Sequence, residues 1–368
     1  MSRFVVALAC ALTLLPNVLA AAEAPALKGA LLIPAQATKA EMASLAAQSF
    51  NAVVLLLEDS VSPRAVRAAA ARARRAKLQL FYWIEIGRNP SLADAHPELM
   101  ASLQTHPEWR RRFPSFPAPT TNQVVKNYPW VPVLYAESFP LHLQRVEKLL
   151  RGLPKPSGVF LNDLQGPPSA CGCGNDFCRW TTDYGPLKTA QRLGDDAAAK
   201  FVAAVGKLVP GARIIPIWTT ECAEHDREVA CGRVSCFTGK CWPEYNAQLQ
   251  PVAKESEWIG VRLPLSDFSA AESRSGAPGE WQSAALRSFS DLLPQRGGHA
   301  VSSKRLVSIV QGWEVTAADV ETQLRRSAAA GVGGIVVAFT AIEQGWQPKL
   351  FTLPANISVP ADARHRAH

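Results

Sequence analysis

The 368-residue sequence predicts an α/β fold, a (β/α)8 TIM barrel. Three observations carry that expectation. Eight short apolar runs alternate with longer helical patterns, the arrangement of parallel strands joined by helices. The runs are nearly continuous in Val, Ile and Leu instead of alternating, which suits strands buried on both faces. No Gly-x-Gly-x-x-Gly turn follows the first run, so the usual reason to choose an open dinucleotide-binding sheet is missing.

Strands are expected at 30–34 (ALLIP), 52–57 (AVVLLL), 78–86 (LQLFYWIEI), 158–163 (GVFLND), 213–219 (RIIPIWT), 258–265 (WIGVRLPL), 305–313 (RLVSIVQGW) and 333–340 (GGIVVAFT). Between them, 39–49 and 62–77 are Ala-rich segments with polar faces. Residues 138–153 place Leu141, Leu143, Val146, Leu149 and Leu150 along one helical stripe. Residues 195–209, 280–293 and 316–330 follow the same logic, with Asp195 and Thr316 as N-caps. The run GVGG (331–334) precedes a strand and reads as a tight turn. Long loops follow the third, fourth and fifth strands. Residues 87–137 and 220–257 are the longest, and both leave a strand's C-terminal end, the active face of such barrels.

The ends of the chain differ from its middle. MSRFVVALACALTLLPNVLA has Arg3, a short apolar stretch and then small residues, the pattern of an export signal over 1–22. Pro16 and Asn17 interrupt it, and it is short for a membrane span. The expectation is a periplasmic or secreted chain without stable membrane insertion, a single barrel domain over 23–356, and a flexible tail over 357–368. The formal charge of +8 is spread along segments such as SPRAVRAAAARARRAK, as on a solvated helix face, and no nucleic-acid partner is expected. Eight cysteines less Cys10 of the signal leave seven, an odd number, so at least one is a free thiol or a metal ligand.

Acids recur at the expected strand ends: Glu85, Asp163 after Asn162, Glu221, Asp267, Glu314 after Trp313, and Glu343. Aromatic residues stand nearby, among them Tyr82, Trp83, Trp218, Trp313 and Trp346. Cleaving a glycosidic bond needs two carboxyl groups flanking it, one to protonate the leaving oxygen and one to attack or to activate water. A lone loop acid is more often a salt-bridge partner or a helix cap. A lone aromatic is as often core filling as a sugar platform. Asp163 and Glu314 stand out because each closes an apolar run that must be buried.

Asn162-Asp163 and the following CGCGNDFCRWTTDYG resemble the retaining β-galactosidase-type barrels, which carry an Asn-Glu at that strand end and a cysteine cluster in the nearby loops. The stretch HPEWRRRFP, SFPLHLQRVEKLL and GVFLND resembles the broader glycosyl-hydrolase-like barrels. The likeness runs from residue 80 to residue 185; beyond that it rests on strand count. It implies Asp163 as acid/base, Asn162 as a contact to a sugar hydroxyl and Glu314 as nucleophile. Here the acid/base is Asp instead of Glu, one methylene shorter. A second barrel lineage pairs an Asp at the fourth strand with an acid after a later one, which would join Asp163 to Asp267. Glu85, Trp83, Trp218, Glu221 and Trp313 are the expected substrate contacts, and a carbohydrate is the expected partner. The alternative is a non-catalytic carbohydrate-binding barrel, motivated by the Asp-for-Glu change.

The cysteines form two groups, Cys171, Cys173 and Cys178 in one loop, and Cys222, Cys231, Cys236 and Cys241 in the next. The resemblance implies a structural zinc, and thiolates from Cys171, Cys173, Cys178 and Cys222 would close a tetrahedral site. An exported chain oxidises its thiols, and four residues separate Cys173 from Cys178 where a zinc knuckle has two. Disulfides between the two loops are the preferred reading, zinc the alternative, and no other cofactor is expected.

Overall fold

The computed structural model describes residues 26–100, 102–103, 110, 113–164, 187–219, 256–263, 265, 282–283, 286–287, 301–341 and 347–352. The elements in chain order are β1 (Leu27–Leu32), α1 (Lys39–Ala47), β2 (Ala52–Leu57), α2 (Pro63–Arg75), β3 (Gln79–Glu85), α3 (Pro90–Ala95), β4 (Gln123–Tyr128), α4 (Ser138–Leu150), β5 (Gly158–Asn162), α5 (Leu187–Leu208), β6 (Arg213–Thr219), β7 (Ile259–Leu263), β8 (Leu306–Gln311), α6 (Ala317–Ala329), β9 (Gly334–Ala338) and β10 (Gln347–Thr352). Eight of the strands close a parallel barrel in the order β1-β2-β3-β5-β6-β7-β8-β9. The expected TIM barrel is the observed fold, with β5 its fourth strand and β8 its seventh.

Alternation along each strand divides the core in two. One set, including Val53, Leu55, Tyr82, Ile84, Val159, Leu161 and Val261, packs outward with residues of the helices, such as Val66, Val146 and Phe201. The other set fills the barrel: Leu31, Val54, Phe81, Trp83, Phe160, Ile215, Ile217, Ile309 and Val336. Trp83 and Phe160 stack at 5.8 Å between centroids, and Phe81 tilts against Phe160 at 5.8 Å. Glycines make room for the larger inward side chains. A Cβ on Gly158 would lie 2.9 Å from the Phe81 ring and 2.8 Å from the Arg213 carbonyl. One on Gly260 would lie 2.8 Å from Ile217 Cγ1.

The helices begin where local chemistry lets them. Ser62 caps α2, with Pro63 in the first turn, where no N–H is needed. Thr316 caps α6 as expected: its hydroxyl accepts from Asp319 N at 3.2 Å, while Asp319 Oδ2 accepts from Thr316 N at 2.9 Å. Asp195 is not a cap, because α5 starts at Leu187 and the residue lies within the helix. Strand β1 starts at Leu27, three residues before the expected run, since Lys28 and Gly29 are no obstacle to pairing with β2 and β9.

The long segment after β3 is not all loop. Its β4 pairs antiparallel with β10, a two-stranded sheet outside the barrel. The same segment is fastened to α4. His142, 1 % exposed, hydrogen-bonds the Val131 carbonyl through Nε2 at 3.0 Å and packs edge-on to Phe201. Ser138 Oγ donates to the Pro132 carbonyl. Burial lowers the His142 pKa from 6.5 to about 4; the bond to Val131 opposes this and the Arg145 charge adds to it.

The unfolded chain protonates His142 below its ordinary pKa, while the folded chain resists until about 4. Stability linked to this group is therefore fully present above pH 6.5 and is lost as pH falls towards 4, by ~3 kcal/mol. Urea unfolding followed between pH 7 and 4.5 should show this loss, and His142→Gln should flatten the slope in that window.

Candidate functional site

At the C-terminal mouth of the barrel β1, β2 and β9 end inward in Leu31, Leu56 and Ala338, whereas four other strands end in a polar residue. Glu85 on β3 stands directly opposite Asn162 on β5. Arg262 on β7 and Gln311 on β8 continue the inward register of Gly260 and of Ile309. All four are buried. At β3, β5, β7 and β8 the barrel thus changes from aromatic and aliphatic below to polar at its top.

Glu85 organises this layer. Its Oε2 accepts from Asn162 Nδ2 at 2.9 Å and its Oε1 from Trp83 Nε1 at 2.5 Å. Its backbone carbonyl accepts from Arg145 Nη1 at 2.6 Å, and Arg145 Nε also pairs with Asp59 at 2.6 Å. One arginine of α4 therefore ties the top of β3 to the turn after β2. Asn162 Oδ1 is buried without a hydrogen-bond partner among the described residues. Trp83 is 0 % exposed, so its ring belongs to the core and its part in the site is the hydrogen bond to Glu85.

At β8 a helix again holds a strand end. Gln323 of α6 brackets Gln311: its Oε1 accepts from the Gln311 amide at 3.1 Å and its Nε2 donates to the Gln311 carbonyl at 2.9 Å. Gln311 Nε2 donates to the Trp313 carbonyl at 3.0 Å. Gly312 follows, with its amide on the Ala338 carbonyl at 2.8 Å and no room for a Cβ, which would meet Val337 at 2.7 Å. The strand ends at Gln311, so Glu314 does not close a buried run as expected; it is exposed in the turn beyond.

The backbone marks the same two acids. Four non-glycine residues among those described have positive φ: Ser49 (61°), Lys77 (59°), Asp163 (58°) and Glu314 (52°). Ser49 and Lys77 each follow the last residue of a helix terminus, where a left-handed residue is routine. Asp163 and Glu314 follow the fourth and seventh barrel strands, at the C-terminal end of the barrel. A non-glycine residue there costs about 1 kcal/mol, and such strain persists only where surroundings impose it. At Asp163 the imposition is visible: Gly87 N donates to its carbonyl at 3.2 Å, and Ile86 N to that of Asn162 at 3.0 Å. Asp163 is 7 % exposed.

Of the other expected residues, Trp313 is half-buried against the inner core. Trp218 lies in β6, with its side chain outside the described residues. Glu221, Asp267, Cys171, Cys173, Cys178 and Cys222 also lie outside them. Sequence reasoning missed Arg262, Arg145 and Gln323. Arg262 had a signal, a charge interrupting the apolar run IGVRL. Arg145 and Gln323 had none, being ordinary polar residues on amphipathic helices.

No family model matches the chain, and no curated protein matches it. Solved structures share its fold. A β-galactosidase from the psychrophilic Marinomonas ef1 has a TM-score of 0.50 at 10 % identity, covering 87 % of this chain and 55 % of its own. A GH20 exo β-N-acetylglucosaminidase from Vibrio harveyi has 0.44 at 10 % identity, with 86 % and 50 % covered. An HpcH/HpaI aldolase from Desulfitobacterium hafniense has 0.34 at 10 % identity, with 85 % and 86 % covered. The chain is a TIM barrel distantly similar in structure to glycoside hydrolases. It spans about half the length of the two glycosidases, and at these identities the likeness is one of fold.

Replacing Arg145 by Met removes the charged donor to the Glu85 carbonyl and leaves Asp59 without its partner. Chemical denaturation should show a loss of about 1–3 kcal/mol. Asp59→Asn should cost less, because the bond to the Glu85 carbonyl survives.

Proposed function

We propose that the chain is an exported glycoside hydrolase whose catalytic pair is Asp163 and Glu314. The observation that carries this is their shared backbone state. Both are acids held in left-handed conformation just beyond the fourth and seventh strands of a barrel, Asp163 next to the last residue of β5 and Glu314 three residues past the end of β8, on the face where such folds do their chemistry. Two carboxyl groups from strands on different sides of the mouth are what glycosidic cleavage requires. The buried Asp163 suits the acid/base role and the solvent-facing Glu314 suits the nucleophile or the base that activates water. Glu85 and Asn162, hydrogen-bonded to each other, would form a polar floor next to Asp163. The cysteine loops, cross-linked by disulfides, would fix the walls of the same mouth.

A second reading is a carbohydrate-binding barrel without turnover. The exposure of Glu314 favours it, since a carboxylate left in water is a weaker catalyst than one held in a dry site.

A panel of aryl glycosides and oligosaccharides with the mature chain separates the two. The enzyme reading expects turnover, lowered roughly 10³-fold by Asp163→Asn and by Glu314→Gln at unchanged thermal stability. Sugar binding with no turnover across the panel selects the second reading. Glu314→Gly gives an independent check on the strain. It should abolish turnover while raising stability by about 0.5–1 kcal/mol, because glycine adopts this φ freely.

A further inference from the structure

The opposite face of the barrel carries a cavity of about 640 Å³ that the proposed chemistry does not use. It lies between the turn from α4 into β5 and the turn from α5 into β6, both of which lead into the N-terminal ends of strands. Its floor is apolar, with Leu150, Leu153, Pro154 and Val209 half-buried there. Its rim is cationic, with Arg151 and Lys155 on one bank and Lys207 on the other. Lys155 reaches across, its Nζ 3.4 Å from where a Cβ on Gly211 would stand. Arg67 of α2 extends the positive edge, its guanidinium directed at the Gly152 carbonyl.

Cations at helix C-termini complement the helix dipole, which accounts for Lys207 in the last turn of α5 and for Arg151 at the end of α4. Lys155 lies on no helix, so the dipole does not explain it. Among the described residues Arg151 pairs only with Glu147, at 3.3 Å and in the open, where an ion pair is worth little. Lys155 and Lys207 have no ion-pair partner among the described residues. Three cations against one acid thus surround an apolar floor, in a volume typical of a ligand site.

We infer that this cavity is a second binding site, for an acidic polysaccharide whose carboxylates meet the rim and whose sugar faces lie on the floor. The shape narrows the occupant. A concave site between two turns does not fit a flat membrane surface. Pro154, Pro156 and Pro210 remove backbone N–H donors from its walls, so an extended peptide would find few main-chain partners there. The choice of a glycan rests on the glycoside-hydrolase reading, whereas the cationic site does not.

Calorimetric titration of the full chain with an oligogalacturonate, and with its methyl-esterified neutral counterpart, tests this. The acidic chain should bind, with affinity falling as salt rises, and the neutral one should bind at least tenfold more weakly. Lys155→Glu combined with Lys207→Glu should lower affinity for the acidic chain at least tenfold, with thermal stability unchanged. Hydrolysis of any aryl glycoside the chain cleaves should be unaffected by the pair, which separates this site from the mouth. Equal binding of the neutral chain, or binding insensitive to the double variant, overturns the proposal. So does binding of anionic vesicles or of a poly-glutamate peptide through the same lysines when the oligogalacturonate does not bind.

Discussion

The inner face of a closed eight-stranded barrel has to be filled, and the rest of this molecule follows from how that is done. Trp83, Phe81 and Phe160 occupy the interior from two neighbouring strands. Gly158 gives up its side chain to make room for Phe81, and Gly260 does so for Ile217. Burying each ring contributes about 2–3 kcal/mol, so the arrangement resists change. With the interior occupied up to Trp83, the next inward position on β3 is Glu85. Its carboxylate is then met by the indole below and the Asn162 amide beside it. A dry core thereby ends in a polar layer without leaving that acid unpaired, which burial would otherwise make costly.

Above that layer the backbone is shaped by side chains from the helices. Arg145 holds the carbonyl of Glu85, and Gln323 holds both main-chain groups of Gln311. Each fixes the point at which a strand stops. The left-handed turns at Asp163 and Glu314 begin just beyond the ends of β5 and β8. A penalty of about 1 kcal/mol at each is small beside several buried hydrogen bonds. The strain is thus affordable to the fold, and its coincidence with two acids on one face is what gives the functional proposal its weight.

The barrel was legible because doubly buried parallel strands leave nearly continuous apolar runs, such as AVVLLL and GGIVVAFT. The pairing of β4 with β10 was not, because QVVKNY and QPKLFT each mix polar with apolar residues and lie far apart in the chain. The reading of Asp163 as buried held, since the strand before it is apolar as far as Asn162. That of Glu314 did not: Gly312 ends the run early, packed too closely against Val337 to carry a side chain. Asp195 looked like a cap because the helix before it, LKTAQRLG, has little apolar periodicity of its own. The polar floor was half legible. Glu85 and Asn162 were visible as strand-end residues, but their direct contact depends on the register between β3 and β5, which no local pattern encodes.

The central claim is that Asp163 and Glu314 face one pocket. A crystal structure of the mature chain with a bound sugar measures this directly, as the separation of the two carboxyl groups across the ligand. The account expects about 5 Å if the anomeric configuration is retained, or about 6.5–9.5 Å if it is inverted. Carboxyl groups further apart than that, or turned to different surfaces with the sugar against neither, would contradict it.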